Sequence, residues 1–252
     1  MSERPAARVR GLAAAFAIDL AVVLATAFAV MLVCGIVWAA TQDIGHTSTA
    51  AGAAHRAVVP GPLAQVVSTF AAMGAAALAL LLWRRRPSAD AWRQSLAAAR
   101  QPSTWGHALL AAVVTGVLVI VIGLAANASG LHPDPSNDAV IRALVHQHPV
   151  LLWTFVAALA PMYEEVLFRR GIFGRFAEAG HPQVGMAISA ALFAFAHEIP
   201  GTGDGGVAAG LVLWSAYAVM GAIFAWVYRR TGTLWSAILA HALHNALSLL
   251  ML

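Results

Sequence analysis

Polar and apolar positions in this chain fall into long blocks, not short amphipathic periods. A helix needs about 20 mainly apolar residues to cross the hydrocarbon core of a bilayer. Seven blocks meet or approach that length: Leu12–Ala40, Leu63–Trp83, Trp105–Ala126, Val150–Phe168, Val184–Ile199, Val207–Tyr228 and Leu234–Leu252. The fifth is short, and the fourth carries charge. The intervening stretches predict the connections. Thr41–Gly61 is small, polar and flexible. Arg84–Ser103 has room for an amphipathic interfacial helix around Ala91–Arg100, with Trp92 and arginines at headgroup level. His132–Ser136 is a turn-rich breaker, Asn137–His148 a short helix leading to Pro149, and Gly201–Gly206 a tight glycine-rich turn. The expected fold is an all-α polytopic membrane helical bundle of about seven transmembrane helices.

Composition agrees with that pattern. The chain has 252 residues, of which 60% are hydrophobic and 10% charged, against about a quarter charged in soluble domains. The first apolar run is too long for a signal-peptide core of roughly 7–15 residues, so it reads as a retained span. All 15 basic residues are arginine. They cluster between apolar runs, as topology signals do, and form no basic stripe or nucleic-acid motif. With the N-terminus in the cytoplasm, only Arg56 and Arg142 fall outside, and the opposite orientation reverses the bias. Trp83 and Tyr228 each precede an Arg pair, where aromatic-belt anchors belong. The single cysteine, Cys34, excludes an internal disulfide and argues against a cysteine metal site. The alanine-rich, lysine-free composition is that of a bacterial chain, which places the protein in the inner (plasma) membrane.

Candidate chemistry starts at Ala160-PMYEEVLFRRG, where Glu164 and Glu165 sit in an apolar run. Carboxylates in hydrocarbon are costly and mark a functional site by default. Glu165 and Arg169 are i and i+4 with the acid first, the favourable order for a helical ion pair. Glu164 points about 100° away and has no local cation, which leaves it free for general acid/base work. Pro161, one turn earlier, predicts a kink. His197 closes the fifth run with Phe193 at i−4, and the last run carries His241, His244 and Asn245. His241 and Asn245 share a face; His244 reads as a packing histidine. Glu198 reads as solvated at a span end. Asp19 faces the bundle or snorkels to the cytoplasmic edge. In these spans Glu164 lies toward the cytoplasm, His241 at mid-membrane and His197 toward the outside, so a shared site requires the boundaries to shift.

Glu-Glu-x-x-x-Arg, Phe-x-x-x-His and His-x-x-x-Asn occur in that order, each on an apolar span. Together with the Ser189-AALFAFAH and Leu234-WSAILAHALHN text they resemble the CPBP family, the CAAX prenyl endopeptidases and abortive-infection-type membrane proteins. The resemblance covers residues 149–252, a CAAX-protease-like catalytic core; residues 1–148 carry no motif and read as flanking spans and loops. It implies an intramembrane endopeptidase acting on a peptide or membrane-protein substrate in the lipid bilayer, with its active site inside the membrane. By that resemblance Glu164 is the general base, His197 orients the water, and His241 and Asn245 steady the oxyanion. Glu165 with Arg169 holds the architecture, and Phe193 walls the site. No cofactor is implied. Glu with two His is also a zinc set, although no His-Glu-x-x-His is present and the three groups come from separate helices; the resemblance favours a metal-free glutamate protease. The alternative is a non-enzymatic scaffold, immunity or regulatory protein of the same fold. A transporter built on proton-relaying Glu, Arg and His is disfavoured, because no repeat links the halves of the chain.

Overall fold

The computed structural model describes residues 5–45, 60–203 and 205–252, with side chains in the first segment from Arg10 to Thr41. Most of the connection read as Thr41–Gly61, Arg56 included, lies outside the described residues, as does Arg4. Nine helices and no β-strand occur among the described residues. They are α1 Pro5–Gly45, α2 Pro62–Arg84, α3 Ala89–Ala99, α4 Pro102–Ala128, α5 Asp138–Gln147, α6 Pro149–Glu178, α7 Pro182–His197, α8 Gly206–Thr231 and α9 Leu234–Leu250. This is a multi-pass helical membrane protein. Five helices (α1, α2, α4, α6 and α8) are long and apolar enough to cross a membrane, and α7 and α9 are shorter apolar helices. The two expected connecting helices are present as α3 and α5. Ser88 caps α3 by accepting a 3.1 Å hydrogen bond from the Ala91 N–H.

Burial is distributed as hydrocarbon solvent demands. Large apolar side chains such as Leu24, Phe28, Val113, Val117 and Leu124 point outward, while buried Ala72, Ala76, Ala108, Ala111, Ala237 and Ala240 line the helix contacts. Lipid offers apolar groups no reason to hide, so close packing of small residues drives association instead. Helix α6 is central, touching α2, α7, α8 and α9; α4 packs on α8 and α9, and α1 packs on α2. At Gly221 of α8 an added Cβ would sit 2.9 Å from the Ala190 Cα of α7. Gly221→Leu is therefore expected to wedge these helices apart and cost about 1–3 kcal/mol. Gly74→Ala, with open space around its Cβ position, is expected to be neutral or slightly stabilising. Thermal unfolding in detergent separates the two.

The span read as Val150–Phe168 is the main departure from expectation. Helix α6 runs ten residues further, to Glu178, because its arginines have partners. Arg169 pairs with Glu165, Arg170 donates to the Arg85 carbonyl, and Arg175 meets Asp19. Asp19 also accepts from Arg84 at 2.9 Å, so its carboxylate ties α1 to α2 and α6. Arg85 adds a 2.9 Å pair with Glu178. The chain then reverses at Gly180 (φ 86°), a left-handed conformation that glycine adopts without penalty. Counted from that turn, Glu164 on α6 and His197 on α7 both stand roughly 20 Å along their helices. The apparent mismatch in membrane depth came from ending α6 too early. Tyr228, expected as a belt anchor, is half-buried and packs edge-on against Phe173, with ring centroids 5.9 Å apart.

Candidate active site

Helix α6 is not a uniform α-helix. One α-turn, Ala160–Glu165, lies between two π-helical stretches, Thr154–Leu159 and Val166–Phe173. Single-turn π segments insert a residue into a helix and are frequent at functional sites. Here the α-turn carries Pro161, Glu164 and Glu165. The kink expected at Pro161 is thus resolved as a π turn ahead of it.

Glu165 and Arg169 form a fully buried ion pair at 2.9 Å, both side chains 0% exposed. Their geometry is that of a charge contact, since neither the Arg169 Nε nor the Glu165 Oε2 makes an aligned hydrogen bond. The guanidinium is enclosed by aromatic rings: its Cζ lies 4.7 Å from the Phe193 centroid, 5.4 Å from Phe224 and 5.8 Å from Phe168. Ring faces are electron-rich, so this cage holds the cation where few donors or acceptors are at hand. The second Glu165 oxygen, Oε1, accepts from His241 Nδ1 at 2.9 Å.

Glu164 lies on the neighbouring face and is also buried, at 8% exposure. Its Oε2 has no aligned hydrogen-bond partner, yet two imidazoles approach it. His197 Nε2 stands at 3.4 Å and His241 Nε2 at 3.8 Å. The far side of each ring is already engaged. His197 Nδ1 bonds the Phe193 carbonyl at 2.9 Å, and a carbonyl can only accept, so the proton is on Nδ1. His241 Nδ1 faces the Glu165 carboxylate, which fixes its proton in the same way. In the neutral rings both Nε2 atoms are therefore acceptors. Three acceptor atoms from α6, α7 and α9 converge around Glu164, with the His197 side chain half-buried, an arrangement satisfied by a shared proton or by a small donor between them.

The surrounding rings hold the imidazoles in place. Phe193, fully buried, lies 4.3 Å from the His197 ring and 5.7 Å from His241. Phe224 stacks on His241 at 4.8 Å and 20°, and Tyr217 on His197 at 4.7 Å and 30°. Phe224 and Tyr217 were missed in the sequence reading. They are seven residues apart on α8 and so share a face, a signal open to a reading that weighs aromatic stripes. Asn245 Nδ2 donates to the Val156 carbonyl of α6 at 2.9 Å. His244 is buried as a packing histidine, its Nδ1 unpartnered.

Glu198 overturns its expectation. It is 2% exposed, not solvated, and its Oε2 accepts from the Ser136 N–H at 3.2 Å, which pins the stretch before α5 over the end of α7. An open cavity of about 480 Å³ lined by His148, Pro149, Val150, Leu151, Thr154 and Phe155 lies at the start of α6 and holds none of the converging groups. Among the described residues no group of three or more His, Cys, Asp or Glu side chains is arranged to hold a metal ion.

The fold and this site together define a multi-pass helical membrane protein with Glu164, Glu165, Arg169 and His241 buried in the bundle interior. Residues 146–247 match the family model described as type II CAAX prenyl endopeptidase, Rce1-like, over much the same stretch that carries the three motifs. The chain is also 27% identical over 122 residues to the Bacillus subtilis (strain 168) protein named "Putative membrane peptidase YdiL". That alignment covers 48% of this chain and 45% of the relative, so the chain spans about half the length of the curated relative it matches. No solved structure matches. Both likenesses point to a membrane peptidase family.

Proposed function

We propose that the protein is an intramembrane endopeptidase of the bacterial inner membrane, with residues 149–252 as its catalytic core and 1–148 as flanking helices. In this reading Glu164 activates a water for attack on a peptide bond. The observation that carries it is the convergence of Glu164 Oε2, His197 Nε2 and His241 Nε2, with the Nδ1 side of each imidazole already committed.

A water that donates one proton to Glu164 and the other to His197 Nε2 is oriented and polarised for attack. Its oxygen bonds to the carbonyl carbon as Glu164 takes the proton. The resulting tetrahedral oxyanion then collapses, the C–N bond breaks, and Glu164 returns the proton to the departing amine. His241 can donate to the oxyanion only with a proton on Nε2 as well as Nδ1, because Nδ1–H is committed to Glu165. Glu165 and Arg169 act as the scaffold that orients His241, and Phe193 walls the site. Bilayer lipid supplies the surroundings, and the substrate is a peptide or membrane protein.

Comparative profiling of membrane-protein termini tests the reading. Cells with the wild-type protein should contain cleavage products that disappear with Glu164→Gln. In purified form, cleavage should persist in a chelator; its loss, restored by zinc, would instead make Glu164, His197 and His241 metal ligands. A Glu164/His197 double variant that retains full activity in vivo would favour the non-enzymatic scaffold.

A further inference from the structure

Asn245 is four residues, about 6 Å of helix rise, beyond His241. Its amide donor is spent on the Val156 carbonyl, which belongs to a residue eight positions, about 12 Å of rise, before Glu164. The helix itself explains why that carbonyl needs a donor. In the π stretch the Ala160 N–H bonds the Phe155 carbonyl, five residues back. The next N–H in the same register would serve Val156, but it belongs to position 161, and Pro161 has none. Pro161 therefore orphans the Val156 carbonyl inside the bundle, where an unmade hydrogen bond is costly, and Asn245 supplies the missing donor.

We infer that Asn245 is a positioning residue: its side-chain amide replaces the backbone donor that Pro161 lacks and so locks the π turn that aims Glu164 at His197 and His241. The link to catalysis is rotational. One residue more or less in the turn rotates everything after it by about 100°, enough to carry Glu164 off the face shared with the two imidazoles. The catalytic part of this inference rests on the proposed glutamate reaction; the hydrogen-bond part does not.

A cycle over Asn245→Ala, Pro161→Ala and the double variant tests it in the full-length protein in detergent or nanodiscs. Asn245→Ala alone should lower Tm by about 2–8 °C and kcat by about 100-fold with little change in KM. Pro161→Ala gives position 161 an N–H, so the loss caused by Asn245→Ala should largely vanish in that background, in Tm and in kcat. The inference is overturned if Asn245→Ala costs as much in the Pro161→Ala background as it does with the proline in place, the result expected of a donor acting on substrate. Should Pro161→Ala itself reset the helix and abolish turnover, the Tm cycle still decides. Should the wild-type protein hydrolyse nothing, the glutamate reaction fails while the Tm coupling stands or falls separately.

Discussion

Glu164→Gln is expected to remove peptide hydrolysis while leaving the bundle folded. The substitution keeps the shape and volume of the side chain but withdraws the group that accepts the water proton. Positioned acid/base groups contribute about 10²–10⁴-fold, and here the same side chain must also return a proton to the leaving amine, so the upper end applies. Folding should survive, because Glu164 Oε2 makes no aligned hydrogen bond and its 3.4 Å and 3.8 Å approaches to His197 and His241 are loose. A neutral amide in that place relieves the bundle of a buried charge. The measurement is turnover of a peptide identified by terminus profiling, beside the Tm of the same preparation. Undiminished turnover would sink the role given to Glu164.

Arg169→Met is expected to have the opposite character, a loss of the fold. Arg169 and Glu165 are both fully buried, and removing one partner of such a pair costs about 3–5 kcal/mol because the other charge is left uncompensated. That is a large share of the roughly 5–15 kcal/mol that holds a typical domain together. The aromatic cage of Phe168, Phe193 and Phe224 would meanwhile hold a thioether in place of a cation. The companion Glu165→Gln/Arg169→Met removes both charges and should recover part of the lost stability, since neither charge is then left buried without its partner. It should not recover activity, because His241 loses the carboxylate that fixes its ring. Thermal unfolding and turnover of the two variants separate charge balance from catalysis; equal stability of the two would contradict the account.

The legible and illegible parts of this molecule divide along physical lines. Apolar blocks mark helices wherever the chain faces lipid, so α2, α4 and α8 were readable to within about three residues. The Glu165–Arg169 pair was readable because its geometry is local to one helix. The end of α6 was not, because Arg169, Arg170 and Arg175 look like a span boundary until their partners Glu165, Arg85 and Asp19 are known. Glu198 was misread for the same reason: its partner, the Ser136 N–H, lies 62 residues away. The sequence also could not say which glutamate His241 bonds; the choice of Glu165 follows from how α9 lies against α6. Pro161 announced a disturbance, but its form, two π stretches and a borrowed donor from α9, depends on a helix synthesised much later.

That order of synthesis gives the overlong central helix a biosynthetic problem. The ribosome delivers α6 before α7 and α9 exist. A carboxylate at mid-span carries an insertion cost of a few kcal/mol on scales measured with the translocon. Glu165 can offset its share at once by pairing with Arg169 in the same helix. Glu164 has no such partner until the segments with His197 and His241 arrive. The last four helices should therefore leave the translocon as one unit, with α6 waiting at the lateral gate for its successors.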